Sequence, residues 1–118
     1  MAPATISKVE TMIQQCIIDC NSCHNICLET VKHCLHMGGR HANPFHVIVL
    51  LDCAELCQAT ANFMLRGSEF NGRICRICAD VCTRCAESCE GFPDDEQMRA
   101  CESMCRSCMD SCQQMANM

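Results

Sequence analysis

Apolar residues and cysteines recur along this chain in alternating steps of three and four, the period of one helical face, and glycine and proline cut the pattern into four stretches. Ser7 and Glu10 have the spacing of a capping box, and the run behind them reaches about Met37, where Gly38 and Gly39 end it. Asn43 followed by Pro44 offers an N-cap with proline at the first helical position, for a helix reaching Arg66 and Gly67. Ser68 or Asn71 opens the third stretch, which stops at Gly91 with Pro93 just beyond. Asp94, with Gln97 three residues on, opens the fourth, which continues almost to the C-terminus. The links are short, as between antiparallel neighbours. The pattern predicts an all-α fold, an antiparallel up-down-up-down four-helix bundle, and the 118 residues suit a single domain over 1–118.

Carried through each stretch, the three-four alternation defines four seams. The first holds Ile6, Val9, Ile13, Cys16, Cys20, Cys23, Cys27, Thr30, Cys34 and Met37. The second holds His46, Leu50, Cys53, Cys57, Thr60 and Met64, and the third Cys75, Cys78, Cys82, Cys85 and Cys89. Met98, Cys101, Cys105, Cys108, Cys112 and Met115 form the fourth. A sustained seven-residue repeat belongs to helices wound at a shallow left-handed angle, so the seams face one another along the bundle axis. All 16 cysteines of the chain fall on them, which predicts a cysteine-lined core.

Composition sharpens this picture. There is no Trp or Tyr and only four Phe, so without its thiols the core is thin. Positions beside the seams (Ile17, Leu28, Val31, Val49, Leu56, Ile74, Ile77, Val81, Met104, Met109) are expected to widen the buried face, some of them toward another chain. So high a cysteine share ordinarily suggests a secreted disulfide scaffold. The N-terminal stretch MAPATISKVETMIQQ, however, has no apolar run behind a basic start, so the expected location is the cytosol, where thiols stay reduced. A net charge of −5 without a basic stripe gives nucleic acid little to bind. No apolar stretch approaches the roughly 18 to 20 residues of a membrane span, so no membrane partner is expected.

Several chemistries compete for the sulfur. Cysteine as a small core filler loses hydrocarbon contact relative to leucine at every position, a poor explanation for 16 of them. Disulfides between neighbours on one helix are strained because both side chains lean toward its N-terminus, although pairs across helices remain open. The segment Cys20, Cys23, His24 matches a haem c attachment pattern, but both cysteines belong to the longer seam. A thiol–disulfide redox protein needs an exposed cysteine of depressed pKa at a helix N-terminus, whereas these lie mostly mid-helix. A thiolate buffer for zinc or cadmium is a further alternative.

Charge balance favours a monovalent soft ion. Zinc in four unshared thiolates leaves two negative charges per site, whereas Cu(I) at one per thiolate leaves none, and it accepts two or three sulfurs. The capacity is then about 16 Cu(I) per chain when every thiolate bridges two ions, and about 8 with unshared pairs. No enzyme chemistry is called for. One end of the bundle collects His33, His36, Met37, His41, His46, Cys34, Cys89, Met98 and Cys101, a mouth where imidazole and thioether can receive an ion. Met37, His46 and Met98 are the best-placed entrance ligands, followed by His36 and His41, with His33 behind them and His24 at an interface or surface. The other end, with Ile6, Val9, Ile13, Phe63, Met64, Phe70 and Met115, reads as an apolar plug.

These features resemble the bacterial copper storage proteins, in particular the cytosolic branch without an export signal. The likeness covers nearly the whole chain: four helices, cysteines at CxxC and CxxxC steps facing inward, and an entrance bearing His and Met. The resemblance implies a homotetramer of bundles, each storing many Cu(I) ions, with copper delivered or removed by a copper chaperone or small-molecule carriers. Its core ligands carry over onto Cys16, Cys20, Cys23, Cys27, Cys34, Cys53, Cys57, Cys75, Cys78, Cys82, Cys85, Cys89, Cys101, Cys105, Cys108 and Cys112. Thr30 and Thr60 stand where further cysteines would continue the seam, so a gap in the array is expected near them.

Overall fold

The computed structural model describes residues 4–118, with side chains from Lys8 onward. Helix α1 spans Ala4–Met37, α2 Pro44–Leu65, α3 Asn71–Glu90 and α4 Glu96–Ala116, and a single 3-10 turn over Gly39–Ala42 lies between α1 and α2. The helix α1 begins ahead of Ser7, so Ser7 lies inside it rather than capping it. Ile6 and the Ser7 side chain lie outside the described side chains.

Local chemistry accounts for the other boundaries. Asn43 caps α2 by accepting the Phe45 amide at 2.9 Å, with Pro44 in the first turn where its missing N–H costs nothing. The helix α2 ends in a Schellman motif: Ser68 N–H reaches the Phe63 carbonyl and Gly67 N–H the Met64 carbonyl, with Gly67 at φ 68°. At the end of α1 the Gly38 amide bonds the Cys34 carbonyl at 3.0 Å, and Gly38 takes φ 71°. The helix α3 opens at Asn71 without a side-chain cap, while Ser68 Oγ holds the preceding turn by accepting the Phe70 amide. The cap of α4 is Asp95, not Asp94; its carboxylate accepts the Met98 amide at 3.0 Å. Gln97 does not complete a capping box but donates to Thr30 Oγ1 across the bundle.

Sulfur contacts fix the topology. From the middle of α1 toward its C-terminus, Cys23 meets Cys53 and Cys34 meets His46, so residue numbers rise on α1 as they fall on α2. The same inversion relates α2 to α3 through Cys53 with Cys82 and Cys57 with Cys78, and α1 to α4 through Cys16 with Cys112 and Cys23 with Cys105. Each helix packs on its two neighbours in a ring, α1 against α4 closing it. The result is the up-down-up-down bundle, 57 × 23 × 19 Å in extent.

The flanks of the seams divide. Ile17 is buried, and Val31, Val49, Leu56, Val81, Met104 and Met109 pack against the core. Leu28 and Ile77 are exposed instead. Alanines 54, 61, 79 and 86 are also buried and complete the flank of α2 and α3. One correction concerns α2. By mean hydropathy (1.4) and length, Pro44–Leu65 is long and apolar enough to cross a membrane, contrary to the expectation that no stretch comes close. Its inner side is the seam from Leu50 to Met64, and its outer side exposes Phe45, Ile48, Leu51 and Leu65.

Candidate metal centre

All 16 cysteines are free thiols, and none is more than 1 % exposed. Sulfur atoms from facing helices approach to 3.7–4.0 Å, as in Cys20 with Cys112 (3.7 Å), Cys53 with Cys82 (3.8 Å) and Cys27 with Cys101 (4.0 Å). A disulfide bond is about 2.05 Å long, so these are non-bonded contacts between thiols. The cross-helix disulfides that the spacing left open are not formed.

The thiols assemble into overlapping sets of four. Cys23, Cys53, Cys57 and Cys82 form one, Cys23, Cys27, Cys53 and Cys105 the next, and Cys27, Cys85, Cys101 and Cys105 another. Toward the far end come Cys57, Cys78, Cys82 and Cys108, then Cys20, Cys78, Cys108 and Cys112. In each set the sulfurs lie within 4.8 Å of one another. Neighbouring sets share sulfurs, so the core is a continuous column rather than separate tetrahedral sites. Zinc ions that each claim four thiolates of their own leave the shared sulfurs unused as bridges, whereas a soft cation that bridges uses every one of them.

Without metal the column is held by S–H···S contacts that split its members. Cys57, Cys105 and Cys112 are pushed above the ordinary thiol range by hydrogen bonds to their sulfur neighbours and by burial. Cys53 and Cys78 are drawn down by hydrogen bonds with their sulfur neighbours, which outweigh burial. At the column's end Cys34 is pushed up to about 11, by burial first and then by the charges of Asp95 and Cys101. Thr30 and Thr60 are fully buried, and their hydroxyls donate to the carbonyls of Ile26 and Leu56 one turn back. Each leaves a place on its seam without sulfur.

At the mouth, Cys34 Sγ lies 3.5 Å from His46 Nε2 and 3.7 Å from Met98 Sδ. Met98 is fully buried and His46 only 6 % exposed. The other ring nitrogen of His46 is 2.6 Å from Ser88 Oγ, which turns Nε2 toward the sulfur. Burial lowers the pKa of His46, opposed by Cys101 and helped by His41, and a neutral imidazole is the form that binds metal.

Around this triad runs a rim. Asp95 accepts from the Nε2 atoms of both His33 and His41 at 2.8 Å. Burial works against its ionisation, but hydrogen bonds from His33, the Met98 amide and His41 outweigh that and hold the carboxyl below the usual carboxylate range. Phe92 packs between His41 and His46, with Arg40 over its ring and bonded to the Gly91 carbonyl. A recess of about 530 Å³ opens there, lined in part by Met37, His41 and Phe92. The structure thus brings His46 and Met98 to the sulfur, holds His41 in the rim, and leaves Met37 and His36 on exposed surface. His24 bonds the Ala54 carbonyl at 2.7 Å instead.

The opposite end departs from an apolar plug. Phe70 is 47 % exposed and Phe63 half-buried beneath Arg66. Met64 and Met115 are buried there, and Met64 Sδ lies 3.8 Å from Cys75 Sγ. Sequence reading also missed Ser88, Phe92 and Asp95. Only Asp95 left a signal, as one of two adjacent aspartates before a helix.

Residues 9–117 match the family model described as copper storage protein, Csp. The cysteine-rich protein YhjQ of Bacillus subtilis is 30% identical over 93 residues, covering 79% of this chain and 85% of that one. The Cu(I)-bound copper storage protein BsCsp3 of Bacillus subtilis superposes with TM-score 0.83 at 30% identity, over 89% of this chain and 98% of its own. A cytosolic copper storage protein of Streptomyces lividans, with five coppers, superposes with TM-score 0.80 at 26% identity, over 92% and 94% of the two chains. That protein is also known loaded with ten copper equivalents.

Proposed function

The chain belongs to the copper storage protein family, and from that premise we propose that it holds many Cu(I) ions in its core, bound by the thiolates of all 16 cysteines. The overlap of the sulfur sets carries this reading, because it lets every interior thiolate bridge two ions and keeps the filled core near neutrality. Each ion that enters replaces a thiol proton: Cys–SH and Cu(I) give Cys–S–Cu(I) and a proton released to solvent. Loading therefore weakens as pH falls.

His46 and Met98 receive copper at the mouth and pass it to Cys34. Both are neutral donors, so they hold Cu(I) without the charge pairing that fixes it deeper in. Met37, His36 and His41 are the outer contacts, where a small-molecule carrier or a copper chaperone hands over its ion. The role is binding and storage rather than catalysis, in one copper-binding domain spanning residues 1–118. The cytosolic description of the Streptomyces relative supports a cytoplasmic location.

The assembly is a homotetramer. Support comes from α2, which is apolar on both sides, and from the exposed Ile18, Leu28 and Leu35 of α1 beside its Ile48 and Leu51. The mass of the reduced protein in sedimentation would be four times that of the chain; a monomer at micromolar concentration contradicts this assembly.

Anaerobic titration with Cu(I) against a chromophoric chelator tests the storage function. Saturation at about 8 to 16 ions per chain is expected. Saturation near four Zn(II), with no preference for Cu(I), overturns it.

A further inference from the structure

The column of thiols has two ends, and they are chemically alike. At the mouth the last thiol, Cys34, has a thioether beside it, Met98 Sδ at 3.7 Å. At the floor the last thiol of α3, Cys75, also has one, Met64 Sδ at 3.8 Å, with the thiol fully buried and the methionine 4 % exposed. In each case the thioether comes from a neighbouring helix, α4 for Cys34 and α2 for Cys75. We propose that Cys75 and Met64 form a Cu(I) site at the floor, one thiolate and one thioether, which closes the sulfur column at the end opposite the mouth.

This inference rests on the storage reading and follows from its charge balance. Interior thiolates have sulfur neighbours on both sides along the axis, so each can bridge two ions. A terminal thiolate lacks the outer neighbour. Completing the outermost ion with another thiolate would add a negative charge that no copper cancels, in a place shut off from water. A thioether supplies a soft lone pair with no charge, so one Cu(I), one thiolate and one methionine sum to zero. Cys75 gives up its proton to solvent as the ion binds. As a filler, leucine would serve as well as methionine and with better-defined rotamers. Sulfur at position 64 is what leucine cannot supply.

The test uses the full-length reduced protein with its methionines as selenomethionine, saturated with Cu(I) and compared with Met64→Leu and Met98→Leu. The exchange conserves volume, so the bundle folds in each case. X-ray absorption at the selenium edge should show copper bonded to selenium in the parent protein. The signal should fall in Met64→Leu, fall in Met98→Leu, and fall by the sum of the two in the double variant. Capacity in the chelator titration should drop by about one ion in Met64→Leu. A selenium signal and capacity unchanged by Met64→Leu, while the cysteines fill normally, overturn the floor site and leave storage intact. Failure of the parent protein itself to take up Cu(I) overturns the storage reading instead.

Discussion

Cys57 shows what one residue does in this core. Its sulfur touches Cys53 on its own helix, Cys78 and Cys82 on α3, and Cys108 on α4, all between 3.7 and 4.0 Å. Replacing it with alanine removes one sulfur atom from at least two overlapping sets. Cys57→Ala should cost the apo protein only about 1 kcal/mol, since the void is small, yet lower its saturation by about one to two Cu(I). Thermal melts and the chelator titration read the two effects separately; an undiminished capacity would show that Cys57 holds no copper. The cysteines themselves were legible because each sits on a seven-residue repeat. Ser88 and Phe92 were not, since they lie off the seams and matter only through a partner on another helix.

At the level of elements, the start of α4 is the most informative. Asp94 and Asp95 are adjacent, and local sequence favoured the first because Gln97 completes its capping box. Asp95 takes the position instead, with one oxygen on the Met98 amide and the other shared by His33 of α1 and His41 of the 3-10 turn. Those histidines are distant in sequence, so their preference is invisible until the bundle forms. Asp95→Ala should destabilise the apo protein by about 1 to 2 kcal/mol from the lost cap, lowering its melting temperature by about 4 °C per kcal/mol. Asp95→Asn, which keeps a capping oxygen, should lose distinctly less. Equal melting of both variants and the parent would deny the cap this role. The same variants leave Met98 and His46 in place, so copper capacity should stay within about one ion of the parent.

Taken as a whole, the molecule couples its stability to protons and to copper in opposite directions of pH. Cys34, at about 11, and Cys75, at about 12, lie above the ordinary thiol value of 9.0. For Cys34 burial dominates; for Cys75 the contact with Cys112 pulls down, but the contact with Cys16 and burial outweigh it. Folded-state values above the unfolded one mean that the stabilisation is complete below pH 9 and is lost as pH rises through 11 to 12. Melts of the reduced apo protein should therefore fall beyond about pH 9; a melting temperature that rises from pH 9 to 12 would refute the assignment. Copper acts the other way, binding the folded state more tightly as pH rises and raising the melting point. The sequence by itself determined the helix count, the seams and the chemistry of the core, because periodicity and residue type are local properties that survive any packing. Only the tertiary structure decided which sulfurs share a set, which aspartate caps α4, that His46 and Met98 rather than Met37 reach Cys34, and that Met64 meets Cys75. Those outcomes depend on the axial register of one helix against another, which a pattern along a single helix does not encode.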